Sequence, residues 1–204
     1  MMPAGVGGVK MSGHGFTIFD TAVGRCGIAW GGLGILGVQL PEARELETRR
    51  RMYRIYPEAR EHRPPLNTET VIEGIVTLLR GGDADMHDVP LDFTGMSYFN
   101  QRVYQFVRGI PRGETRTYED VANGLRVPGA VHSVAQALGR NPFMIIVPCH
   151  RVLEAGNYAD RMAPNGGVIS KRRLLTIEGA HPTVSKTLFD VLLPPVVPPR
   201  PHGS

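Results

Sequence analysis

The chain is poor in cysteine, with two in 204 residues. Cys26 and Cys149 lie far apart, and neither belongs to a C-x-x-C pair or a Cys/His cluster, so the sequence suggests neither a disulfide framework nor a structural zinc site. Long hydrophobic runs are also missing. Hydrophobic residues make up 42% of the chain, enough for one substantial core or two small ones, but no window resembles a membrane span or a secretory signal. A soluble, cytoplasmic protein that is neither secreted nor bound to a membrane is expected. No single sign of charge dominates, the net value being +4. The surplus is local: 11 Lys/Arg face 6 Asp/Glu between Gly95 and Val184, against 12 and 13 in the rest. A cationic excess confined to one segment favours a polyanion such as nucleic acid, although many unrelated surfaces carry one as modest. There are no internal repeats.

What is present begins and ends with tails. Residues 1–14 are Gly-rich without a period, and residues 185–204 finish in "LLPPVVPPRPHGS"; both predict extended, unpacked chain. Within 15–94, "GFTIFDT", "RCGIAW" and "LGILGVQL" alternate or cluster apolar residues between glycines, as three strands of a meander do. "PEARELETRRRMYRIY" predicts a helix whose Arg49-Arg50-Arg51 run is a solvated face. "NTETVIEGIVTLLRGG" predicts a second helix capped by Asn67 or Thr68, with Gly81 beyond its end. "DVPLDF" is a candidate strand returning to the sheet.

A second unit, 95–184, opens with "SYFNQRVYQFVRGI", where Phe99, Val103, Phe106 and Val107 recur at helical intervals. Thr117-x-x-Asp120 is a capping box for "TYEDVANGL". After the turn at Arg126–Gly129, "AVHSVAQAL" predicts a helix with Pro128 at its start and Gly139 past its end. Two short helices joined by a turn fit a helix-turn-helix and equally a plain helical hairpin. On the second, Val131, Val134, Ala135 and Leu138 are expected to face inward, leaving His132, Ser133 and Gln136 outward. Small side chains at Ala130, Ser133 and Ala137 would allow close approach to a groove floor.

The stretch "IIVPCHRVL" sets Cys149 beside His150 after a β-branched run. A thiol of ordinary pKa, about 8.5, is mostly protonated at neutral pH, so a reactive Cys149 needs a base nearby. In an extended segment adjacent side chains point to opposite faces, which makes a direct Cys149–His150 bond awkward and a bridging water easier. The plain alternative makes Cys149 a buried small hydrophobe and His150 a satisfied core histidine.

"GIPRGETRTYEDVA", "GRNPFMIIVPCHRVL" and "GGVISKRRLLTIEG" resemble, in order and nearly in spacing, the O6-alkylguanine-DNA alkyltransferases, the methylated-DNA-protein-cysteine methyltransferases. The likeness covers roughly residues 16–181 and is strongest after Gly95. It implies a small RNase H-like α/β domain followed by a mainly α winged helix-turn-helix domain. The implied activity is irreversible, single-use transfer of an alkyl group from O6-alkylguanine in double-stranded DNA to Cys149. By this resemblance Glu178 orients His150, Asn141 fixes the turn carrying Cys149, Tyr118 supplies a hydroxyl to the leaving base, and Arg151 joins the DNA-facing set. No metal or organic cofactor is implied, and the expected protein is a monomer.

The sequence departs from the family at three places. His132 stands where the family's helix carries an arginine that fills the stack vacated by the flipped base. Met144 replaces a proline common after Asn-Pro, and the loop after Cys149 is remodelled, with Tyr158 a candidate wall of the base pocket. Two other readings remain: a non-transferring lesion-binding or regulatory DNA protein, and an unrelated thiol hydrolase using Cys149 and His150. Non-transferring relatives of the family replace the cysteine, so the intact Pro148-Cys149-His150-Arg151 string favours chemistry. Adjacency of the two residues speaks against the hydrolase.

Overall fold

The computed structural model describes residues 14–154 and 171–180. The two tails and the loop carrying Tyr158 fall outside those residues, apart from His14.

Strand β1 (Gly15–Thr21), β2 (Gly24–Gly31) and β3 (Gly34–Gln39) form the expected antiparallel meander. Period-two alternation along β2 sends Cys26, Ile28 and Trp30 to one core cluster and Ala29 to another. Helix α1 (Glu45–Ile55) covers the second face through Met52, which lies directly over Gly27. The short β4 (Arg60–Glu61) pairs in parallel with β1, giving the order β3-β2-β1-β4. The arginine run on α1 is engaged in ion pairs, Arg49 with Glu45 and Glu61, and Arg51 with Glu42.

Helix α2 (Leu66–Leu79) buries Val71, Ile75, Leu78 and Leu79. Its N-cap is Pro65, not Asn67 or Thr68; proline at φ −71° presets the extended entry, and Thr68 is already inside the helix and buried. Gly81 does end it, with φ +84°. "DVPLDF" returns to the sheet only as a single parallel bridge, Leu91 to Ile35.

Helix α3 (Tyr98–Arg108) is capped by Ser97, whose side chain accepts from the Asn100 amide. β5 (Arg116–Thr117) leads into α4 (Tyr118–Gly124), and the Thr117/Asp120 capping box is present in both directions. Helix α5 (Val131–Gly139) starts after Ala130, three residues beyond Pro128, and includes Gly139. Its buried face is Val134, Ala137 and Leu138, whereas Val131 is exposed. The face is therefore rotated from the expected one, and the Tyr104 hydroxyl of α3 secures it by donating to the Ala137 carbonyl at 2.9 Å. A 3-10 turn (Cys149–Arg151) runs into β6 (Val152–Leu153), which pairs in parallel with β5; α6 (Lys171–Glu178) follows.

One core cluster runs from β2 and β3 through α2, α3, α4 and α5 to Val147 and Cys149. Each large aliphatic side chain buried in it, such as Ile28 or Ile75, contributes roughly 1.5–3 kcal/mol. The segment before Cys149 is also tied to the first sheet, since the Val38 amide donates to the Pro142 carbonyl at 2.8 Å. Gly37 permits this approach, because a Cβ there would stand 2.9 Å from that carbonyl. The sheet thus backs the segment that carries the thiol.

Candidate alkyl-transfer site

The chain from Asn141 to Arg151 is held by its own polar groups. Asn141, 1% exposed, accepts from the Phe143 amide and donates to the Val147 carbonyl, both at 2.9 Å. The Val147 amide returns to the Phe143 carbonyl at 2.8 Å. Ile145 between them has φ +73°, a strained conformation for a β-branched residue that costs about 1–3 kcal/mol and persists only where neighbours over-determine it. Asn141 provides that constraint.

Cys149, His150 and Arg151 form a 3-10 turn instead of the extended segment expected. Successive side chains on such a turn are splayed by about 120°, so Cys149 and His150 still point apart. The Cys149 thiol is 2% exposed and contacts the Met144 thioether at 3.8 Å. Met144 is itself 1% exposed. Burial raises the pKa of the thiol, opposed by the charge of Lys171, the Asn141 side chain and the residue's own amide.

His150 Nε2 lies 2.7 Å from Glu178 Oε1 at the end of α6. Burial would raise the Glu178 carboxyl, but the hydrogen bonds from His150 and Arg151 and the Arg151 charge prevail and hold it well below the ordinary carboxylate range. An ionised carboxylate only accepts, so Nε2 carries the proton and Nδ1 keeps its lone pair. Nδ1 is buried and has no hydrogen-bond partner among the described residues. Burial lowers the imidazole pKa, Glu178 opposing it while Arg151 and Lys171 add to the lowering. The resting pair is therefore a neutral thiol and a neutral imidazole with a free basic nitrogen.

Arg151 does not face solvent. It is 8% exposed, donates to Glu178 through Nε at 2.9 Å and Nη2 at 2.8 Å, and reaches the Ile110 carbonyl through Nη1 at 2.5 Å. Its expected place on the DNA-facing surface is corrected: a cation that finds a buried carboxylate is spent internally. Ala137, 2% exposed, is likewise withdrawn from that surface by the rotation of α5. His132, Ser133 and Gln136 are exposed, Ala130 is half-buried, and His132 Nε2 pairs with Gln136 Nε2 at 2.9 Å.

Tyr118 is half-buried at the first position of α4. Lys171 Nζ donates to its hydroxyl at 3.2 Å and to the Val152 carbonyl at 3.3 Å. Lys171 was not marked by the sequence reading, yet it stands two helical turns before Glu178 on the same face of α6, a spacing that carried the signal. Among the described residues no group of three or more His, Cys, Asp or Glu could hold a metal ion, and no helix is long and apolar enough to cross a membrane.

The arrangement can hand a thiol proton to an imidazole backed by a carboxylate, with a hydroxyl and an ammonium close by. Comparison with known proteins agrees with that chemistry. Residues 98–180 match the family model of the 6-O-methylguanine DNA methyltransferase DNA binding domain. The methylated-DNA–protein-cysteine methyltransferase of Methanothermobacter thermautotrophicus is 35% identical over 153 residues, covering 75% of this chain and 78% of that protein. The crystal structure of Mycobacterium tuberculosis O6-methylguanine methyltransferase superposes with a TM-score of 0.63 at 29% identity, covering 83% of this chain and 96% of the other. The OGT of the same organism in complex with DNA gives 0.62 at 27%, covering 80% and 91%. With a mixed α/β fold and a site of this composition, the chain belongs to the methylated-DNA–protein-cysteine methyltransferase family.

Proposed function

We propose that this protein repairs O6-alkylguanine in double-stranded DNA by moving the alkyl group irreversibly onto Cys149, once per molecule. The observation that carries the reading is the His150–Glu178 pair at 2.7 Å, with Nδ1 of the same ring left open. His150 takes the thiol proton, by way of a water, and Glu178 stabilises the imidazolium formed. The thiolate attacks the alkyl carbon, the carbon–sulfur bond forms, and the O6–carbon electron pair stays on the base. Tyr118 supplies a proton toward the guanine as negative charge develops there. Lys171 supports this by donating to the tyrosine oxygen, which leaves the phenolic O–H free to point at the base.

The target carbon is inaccessible inside a stacked duplex, so the nucleotide must be extruded. Residues 95–184 are read as a winged helix-turn-helix domain that presents α5 to the DNA, with Ala130, His132, Ser133 and Gln136 toward the groove. His132 fills the vacated stack with a shorter side chain than arginine. Residues 15–94 are read as an RNase H-like domain, and Met144, in contact with the Cys149 thiol, as a pocket wall. The protein acts as a monomer without a cofactor.

One observation favours the alternative of a lesion-binding protein without transfer: the thiol is 2% exposed and burial raises its pKa. A duplex carrying O6-methylguanine with a labelled methyl group decides between them. The expected result is label moving to the protein, stopping at one methyl per chain, and absent with Cys149→Ala. Tight binding with the label left on DNA selects the lesion-binding reading.

A further inference from the structure

Helices α2 and α6 end at the same place. Gly81 follows α2 with φ +84°, and a Cβ on it would stand 3.3 Å from the Ile177 carbonyl and 3.8 Å from Arg112 Nη2. Arg112, in the turn after α3, donates through Nη2 to the Gly81 carbonyl at 2.5 Å and to the Ile177 carbonyl at 3.2 Å. Ile177 directly precedes Glu178.

The last carbonyls of a helix have no intrahelical donors and carry partial negative charge. Two such ends brought together repel, and Glu178 adds a full negative charge at the end of α6 that the helix dipole disfavours. A guanidinium between the two ends turns the repulsion into a bridge. The same short turn also holds Arg151, whose Nη1 reaches the Ile110 carbonyl while Nε and Nη2 grip Glu178. The contacts close a ring: from the Ile110–Arg112 turn to the end of α6, through Glu178 to Arg151, and back to Ile110.

We infer that Arg112 is a positioning residue for alkyl transfer, bolting the last turn of α6 to the end of α2 so that the sheet-bearing half of the chain sets Glu178 behind His150. Its consequence for catalysis rests on the reading proposed above, but the placement of Glu178 can be followed without any transfer. The charged groups acting on His150 are Glu178, Arg151 and Lys171. Beyond them Asp83, Asp85, His87 and Arg108 line the cleft that Arg112 and Arg151 border.

The test follows the imidazole titration of His150 by NMR and single-turnover transfer against pH, in the full chain and in Arg112→Leu, Arg112→Lys and Gly81→Ala. With Glu178 loosened, the imidazolium loses its counter-charge. His150 in Arg112→Leu should then titrate at lower pH than in the wild type, and transfer should slow by about tenfold. The half-maximal rate should move to lower pH with the imidazole that serves as base, duplex affinity should stay within about twofold, and Arg112→Lys should recover most of the rate. Gly81→Ala, which keeps the guanidinium but crowds the Ile177 carbonyl, should shift both in the same direction by less; it decides the matter with Arg112→Lys if Arg112→Leu does not fold. An unmoved His150 titration in the folded variants overturns the inference, as does a rate loss fully explained by an unfolded fraction. If the wild-type chain transfers nothing, a moved titration still upholds the positioning and counts against the repair function alone.

Discussion

Two thiols of this protein are both buried, yet their surroundings differ in kind. Cys26 sits in mid-strand among Ile28 and Trp30, with the Thr21 hydroxyl at 3.7 Å as its polar contact, and burial pushes its thiol up to about 12. Cys149 is buried as deeply, but Lys171, Asn141 and its own amide favour the thiolate, and an imidazole backed by a carboxylate stands next in the chain. Burial alone therefore does not separate an inert cysteine from a reactive one. The difference is a destination for the proton and a nearby cation, which among the described residues only the second site supplies.

The sharpest way to break the comparison is to exchange sulfur for oxygen. Cys149→Ser should abolish methyl transfer while leaving duplex binding intact, and Cys26→Ser should transfer at the wild-type rate; a gel-shift assay and label counting check both. Next in size, Glu178→Gln should slow single-turnover transfer by about 10²-fold, because a neutral amide cannot stabilise imidazolium. Lys171→Met removes the cation that Cys26 never had. Its effect should be about tenfold on transfer, and alkylation of Cys149 by iodoacetamide should need higher pH than in the wild type. The smallest effect belongs to Cys26→Ala, which should cost about 1 kcal/mol in urea unfolding and nothing in transfer.

Cys26 also carries a pH signature. Its folded pKa is raised, so the folded chain holds a proton that the unfolded chain releases; the stability it contributes is full below the ordinary thiol value and is lost as pH rises toward about 12. Cys26→Ala should flatten the alkaline arm of the unfolding curve.

Much of this was legible in the sequence where a local rule fixes the outcome. Alternation gave the three strands, Thr117 and Asp120 announced their own capping box, and the resemblance carried by the Pro-Cys-His-Arg string pointed to Asn141 and Glu178. What escaped depends on partners distant in the chain. Arg151 reads as a surface cation until Glu178, 27 positions on, is found against it. The inward face of α5 is set by the Tyr104 hydroxyl on the Ala137 carbonyl, 33 positions apart, and no periodicity in nine residues resolves that rotation. Lys171 was missed because a lysine opening a basic helix looks like any solvated charge until Tyr118 lies beside it. The extended reading of Cys149 failed since proline followed by a three-residue turn leaves no periodic trace.

On this reading the proton path, and not exposure, selects the sulfur that accepts the alkyl group. Peptide mapping by mass spectrometry after incubation with an O6-methylguanine duplex tests it directly. One added methylene is expected on the peptide containing Cys149 and none on the peptide containing Cys26. A Cys149 peptide left unmodified while the lesion disappears from the DNA, or a methylene found on Cys26, would contradict it.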